Sequence, residues 1–167
     1  WAEFRALFRA NQDAVERFEK KFARAFEAKD AVAFPYGRSA QWAFLNAVGL
    51  KEAEIIMPAY TCSVVAYAIS LSDNVPIFVD INLDDYNMDL DKAEAAINAK
   101  TRVIIATHTF GYPQDLDRLE SMVRRAEQRY GHKLWLMQDC CHAFGAKWNG
   151  RMIGTSGDVA VYSFNIS

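Results

Sequence analysis

The chain carries only three cysteines in 167 residues: Cys62, Cys140 and Cys141. An odd count with two adjacent members is a poor disulfide framework and fits reduced thiols in a cytosolic protein. Charge of one sign is also lacking, because the formal net charge is −2 and no stretch gathers Lys and Arg on one face. The electrostatic footprint of a nucleic-acid binder is therefore missing. No apolar run reaches the roughly 20 residues needed to span a bilayer. The chain opens at Trp1 without a basic-then-apolar leader, so its start reads as a fragment edge and the expected compartment is the cytoplasm. No Gly-Xaa-Ser-Xaa-Gly elbow, Walker loop or Gly-Xaa-Gly-Xaa-Xaa-Gly fingerprint occurs, which removes support for a serine hydrolase, a P-loop NTPase or a dinucleotide oxidoreductase. There is no internal repeat, low-complexity segment or linker.

What is present is apolar pattern: 51% of the residues are hydrophobic, enough for one sizeable core. From Gln12 to Lys29 the spacing of Val15, Phe18, Phe22, Ala25 and Phe26 predicts a helix with one buried stripe, with Asn11 as its cap. Beyond it, short apolar runs alternate with helical segments. Strands are expected at Ala31–Phe34, Glu54–Met57, Val75–Val79, Arg102–Ala106, Leu134–Met137 and Asp158–Phe164. Helices are expected at Ser39–Val48, Thr61–Leu71, Asp89–Ala99 and Asp115–Tyr130. The strand runs are continuous rather than alternating. That predicts burial on both faces, as in a three-layer α/β fold whose mostly parallel sheet is covered by helices. Asn149-Gly150 between strand-like flanks predicts a hairpin within Lys147–Met152.

In open α/β sheets ligands sit beyond the carboxyl ends of the strands, so the residues after each strand are the candidates. Gly37-Arg38-Ser39 opens a helix. Its backbone amides suit a phosphate, although the same pattern also describes an ordinary cap. Asp139 ends a buried strand, and a desolvated carboxylate needs a partner. A protonated pyridine nitrogen is one such partner, and a nearby helix end is another. His142 can donate to a phenolic oxygen or serve the fold. Ser163 offers a hydroxyl at the last strand end. Cys140, Cys141 and His142 lack zinc spacing, so no metal is expected.

Taken in order, these segments resemble the DegT/DnrJ/EryC1/StrS aminotransferases. The resemblance rests on Phe34-Pro35-Tyr36-Gly37-Arg38-Ser39-Ala40, Met57-Pro58-Ala59-Tyr60-Thr61-Cys62, Val79-Asp80-Ile81 with Tyr86-Asn87-Met88-Asp89, and His108-Thr109-Phe110-Gly111. It continues through Gln138-Asp139-Cys140-Cys141-His142-Ala143-Phe144-Gly145-Ala146, then Gly157-Asp158 and Tyr162-Ser163-Phe164-Asn165-Ile166-Ser167.

The resemblance implies a fold-type-I enzyme that uses pyridoxal 5'-phosphate (PLP). The substrate would be a nucleotide-linked keto sugar, and glutamate or glutamine the amino-acid donor. It places Asp139 at the ring nitrogen and His142, where many relatives have Gln, at the phenolic oxygen. Ser163 and the backbone of Gly37, Arg38 and Ser39 would hold the phosphate. Cys62 stands where many relatives stack an aromatic ring on the cofactor, so that stacking is not expected here. The Schiff-base lysine would follow directly after Ser167, which leaves residues 1–167 as a large-domain fragment with no catalytic residue of their own. It would be completed by a small C-terminal domain and, at full length, by a second copy in a homodimer. A sugar dehydratase with His in place of that lysine, and a non-catalytic regulator on the same fold, are the alternatives.

Overall fold

The computed structural model describes residues 13–164; the expected cap Asn11, and Gln12, Asn165, Ile166 and Ser167, lie outside them. The chain divides into two compact units, Trp1–Ala33 and Phe34–Ser167.

In the first unit, helix α1 spans Ala14–Ala25. Ring contacts link Phe18 to Phe22 and Phe22 to Phe26, with centroids 5.7 and 4.5 Å apart. The expected stripe is only partly inward. Phe26 is buried, as is Ala23 rather than Ala25, whereas Val15 and Phe18 are exposed. Residues 31–34 form no strand. Three of the four are exposed, and an apolar run with no neighbouring strand has nothing to pair with.

The second unit holds the sheet. Its elements are helix α2 (Gly37–Ala47), strand β1 (Glu54–Pro58), helix α3 (Ser63–Leu71), strand β2 (Val75–Val79), helix α4 (Leu90–Ala96) and strand β3 (Thr101–Thr107). Then follow helix α5 (Leu116–Tyr130), strand β4 (Trp135–Asp139), the two short strands β5 (Lys147–Trp148) and β6 (Arg151–Met152), and strand β7 (Val159–Val161). Five strands pair in the order β2-β1-β3-β4-β7, and every pairing in that sheet is parallel.

The continuous apolar runs explain the layers. Ile55, Ile56 and Met57 of β1 are fully buried, and each such side chain contributes about 1.5–3 kcal/mol. Because side chains alternate across a strand, Ile55, Met57, Val103, Ile105, Met137 and Val161 pack with Leu45, Val65 and Ile69 of α2 and α3. Ile56, Ile104, Ala106 and Leu136 pack on the opposite face with Leu90 of α4 and with Leu116, Leu119 and Met122 of α5. Both faces are therefore covered.

Asp89 and Asp115 cap α4 and α5 through their carboxylates, and Gly131 ends α5. The expected hairpin is β5–β6. Asn149 and Gly150 take positive φ of 49° and 82°, the combination that a tight two-residue turn between twisted strands demands.

Candidate active site at the carboxyl ends of the strands

Helix α2 begins directly at Gly37. Its N-cap Tyr36 is extended and gives no side-chain cap. The Ser39 and Ala40 amides donate to the Tyr36 carbonyl at 3.0 and 3.2 Å. The Gly37 and Arg38 amides find no acceptor among the described residues, so this helix end presents bare donors. The Arg38 guanidinium lies 4.6 Å from the centre of the exposed Tyr36 ring.

This helix start meets the end of β7. A Cβ built on Gly37 would stand 3.9 Å from Val161 Cγ1. Val161 is in register with Asp139 of β4, and Ser163 follows two residues later, half-buried.

Asp139 is 5% exposed. Its Oδ1 accepts the Cys141 amide at 3.1 Å, and no Lys or Arg among the described residues forms an ion pair with it. Alternation puts Asp139 on the same sheet face as Met137, and its register partner Thr107 on the same face as Ile105. Thr107 Oγ1 is buried and has no hydrogen-bond partner among the described residues, and the same holds for Oε1 of Gln41 on α2. A buried carboxylate without a cation, beside an uncapped helix start and orphaned polar atoms, is costly to leave unfilled.

Cys62 is the N-cap of α3 and is exposed; it is close enough to Cys141 to affect that thiol electrostatically. Burial, with help from the Asp139 charge, pushes the Cys140 thiol up to about 12 and the Cys141 thiol upward as well. Both stay protonated and pack as small apolar groups rather than acting as nucleophiles. His142 is exposed, and its carbonyl would lie 3.6 Å from a Cβ at Gly111. Asp139 is thus the last residue of β4, Cys62, His142 and Ser163 follow β1, β4 and β7, and Gly37, Arg38 and Ser39 open the helix that meets the end of β7.

The opposite side of the β4 end holds a network that the sequence did not announce. His108 is fully buried. Its Nδ1 accepts the Gln114 amide at 2.9 Å, which leaves the proton on Nε2 to donate to Gln138 Oε1 at 3.0 Å. Gln138 Oε1 also accepts the Gly154 amide at 2.8 Å, and its Nε2 donates to the carbonyl and the hydroxyl of Ser156. Burial holds the His108 imidazole below its ordinary value near 6.5, against the pull of Gln138 and the Asp139 charge. Tyr162 donates to the Ile153 carbonyl at 2.9 Å. Its oxygen would lie 2.0 Å from a Cβ at Gly154, so this close approach needs glycine. The partners are 30 residues apart or belong to a glycine-rich loop, and a sequence motif carries no sign of them.

The DegT/DnrJ/EryC1/StrS aminotransferase family profile matches residues 6–166. The chain belongs to this family. A GDP-perosamine synthase from Escherichia coli O157:H7 is 34% identical over 151 residues, covering 90% of this chain and 40% of the relative. The PLP form of a putative sugar aminotransferase from Streptococcus pneumoniae superposes with a TM-score of 0.83 at 25% identity, covering 90% of this chain and 41% of that one. A GDP-4-keto-6-deoxymannose-3-dehydratase with bound GDP-perosamine superposes with a TM-score of 0.79 at 27% identity, covering 89% and 39%. The chain therefore spans about 40% of the length of such relatives. Among the described residues no cluster of His, Cys, Asp or Glu is placed to hold a metal, and no helix is long and apolar enough to cross a membrane.

Proposed function

We propose that this chain is the cofactor-binding part of a PLP-dependent aminotransferase. It would transfer the amino group of glutamate or glutamine to a nucleotide-linked keto sugar, acting at full length as a cytoplasmic homodimer. The observation that carries the reading is the buried Asp139 carboxylate, which pairs with no Lys or Arg among the described residues, next to the uncapped start of α2.

The residues present suit the cofactor. Asp139 offers a negative charge to a ring nitrogen and keeps it protonated. The Gly37 and Arg38 amides, with the Ser39 and Ser163 hydroxyls, suit a phosphate at a helix N-terminus. His142 can donate to a phenolic oxygen, while Cys62 and Cys141 give close packing without a ring face. When bound, the cofactor supplies an electron sink for the carbon that changes its amino group. The lysine that completes the family's site would follow Ser167. The likeness to a dehydratase supports a second reading, in which a His takes that place.

The test uses the full-length gene product. Cofactor loading is followed by absorbance, and the half-reaction with amino donor is measured in a single turnover. Asp139→Asn keeps the size and removes the charge. A drop of two to three decades is expected, equivalent to about 3–4 kcal/mol of barrier. A fully loaded variant that reacts as fast as the parent refutes the assignment. Recovery of a deoxygenated sugar instead of an amino sugar favours the dehydratase.

A further inference from the structure

Three loops at the same end of the sheet each raise one aromatic ring. Tyr60 follows β1, Tyr86 follows β2 and Phe110 follows β3, and they are 48%, 44% and 60% exposed. The ring centroids lie 5.6 Å apart for Tyr60–Tyr86, 6.2 Å for Tyr60–Phe110 and 5.9 Å for Tyr86–Phe110. Phe110 continues the cluster onto His142, with centroids 6.2 Å apart and planes within 7°.

Two of these rings are held up against a backbone cost. Tyr86 and Phe110 have φ of 58° and 52°, and a bulky residue in that region costs about 1–3 kcal/mol. A buried side chain imposes the arrangement. Asn87 is fully buried. Its Oδ1 accepts the Thr109 amide at 2.9 Å, and its Nδ2 donates to the Tyr112 carbonyl at 3.1 Å. Asn87 therefore ties the loop that carries Tyr86 to the turn that carries Phe110. Neither phenol hydroxyl of Tyr60 or Tyr86 makes a hydrogen bond among the described residues.

We propose that Tyr60, Tyr86 and Phe110 form a platform for the deoxyhexose ring of the nucleotide-linked sugar. The C–H face of the sugar lies on the rings, and a sugar oxygen meets the phenols. This inference rests on the proposed function. An apolar partner surface would bury two phenol hydroxyls without partners, at a cost, whereas a sugar offers both an apolar face and hydrogen-bonding oxygens. The contact between Phe110 and His142 sets which part of the substrate lands here. The reacting carbon belongs to the hexose and must come up to the cofactor beside His142. The nucleobase is two phosphates further away.

The test is calorimetric titration of the full-length, PLP-loaded protein with dTDP- and GDP-linked 4-keto-6-deoxyhexose and with bare dTDP and GDP, in the absence of amino donor. Tyr60→Ala removes one ring. Phe110→Gly removes another and relieves the positive φ. Each is expected to weaken the nucleotide sugar roughly 10–100-fold, in the range of aromatic stacking. Bare nucleotide and PLP affinities are expected to stay within about twofold. The double variant Tyr60→Phe/Tyr86→Phe keeps the packing and is expected to lose roughly 3–10-fold.

Equal weakening of nucleotide sugar and bare nucleotide overturns the proposal, because the face then holds the nucleotide. Unchanged sugar affinity with altered sedimentation overturns it in favour of a subunit contact. A parent that binds PLP but no nucleotide sugar removes the substrate reading, and the platform falls with it. A parent that binds the sugar while all variants bind it equally well overturns the platform alone.

Discussion

Gln138 and Asp139 are neighbours on β4 that face opposite sides of the sheet, and their surroundings differ in kind. Gln138 has its oxygen and its amide nitrogen engaged by His108, Gly154 and Ser156. Beside Asp139, the Oγ1 of its register partner Thr107 lies buried without a partner among the described residues, and no Lys or Arg among them pairs with the carboxylate. A polar group whose partners all come from the chain serves the fold. A buried polar group left short of partners is a place where the fold waits for something from outside. The contrast is between the two side chains themselves, since Thr109 Oγ1 and Gln114 Oε1 near His108 also lack a partner among the described residues.

The largest expected effect falls on the satisfied side. Gln138→Leu strands the His108 Nε2–H, the Gly154 amide and the Ser156 carbonyl. Urea denaturation should show a loss of roughly 2–4 kcal/mol, since each orphaned buried group costs about 1–3 kcal/mol. A loss below about 0.5 kcal/mol, the level of an ordinary surface substitution, would erase the distinction between the two faces. On the other side the sign should reverse. Thr107→Val replaces an unpartnered hydroxyl with a methyl group and should leave the cofactor-free protein unchanged or more stable by up to about 1 kcal/mol. PLP affinity, read by absorbance titration, should fall in the same variant. Destabilisation without a change in PLP affinity would mean that Thr107 belongs to the scaffold.

The smallest effect sharpens the comparison through pH. His108 has a folded pKa below its ordinary value near 6.5, chiefly because of burial. The unfolded chain therefore takes up its proton first as pH falls. Stability is full above about 6.5 and declines as pH drops below that value toward the folded pKa. His108→Gln should flatten this slope in melts between pH 7 and 5. An unchanged slope would show that other groups set the acid limit.

Much of this fold is legible in the sequence because its signals are local. The run Ile55-Ile56-Met57 announces a doubly covered strand, Asp89 and Asp115 announce helix starts, and Asn149-Gly150 announces the hairpin. Residues 31–34 mislead because an apolar run says nothing about whether a partner strand exists. The candidate site splits the same way. Gly37, Asp139 and Ser163 stand out as candidates from their positions at strand and helix ends. Tyr60, Tyr86 and Phe110 are dispersed in sequence and meet only because parallel strands bring their following loops to one edge of the sheet. The orphaned atoms of Gln41 and Thr107 are invisible to any sequence pattern, since a missing partner has no letter.

The pair formed by Gly154 and Tyr162 also constrains how this sequence can drift. A Cβ at position 154 would meet the Tyr162 oxygen at 2.0 Å and the ring carbon that bears it at 2.8 Å. Phe at 162 would clear the first obstacle and not the second. A side chain added at 154 therefore requires the Tyr162 ring to move or to be replaced by something smaller than Phe, and either change gives up the hydrogen bond to the Ile153 carbonyl. It would still face the positive φ of 78° at Gly154. The two positions, eight apart, are therefore coupled through the gap that glycine leaves, so what fits at one depends on what stands at the other.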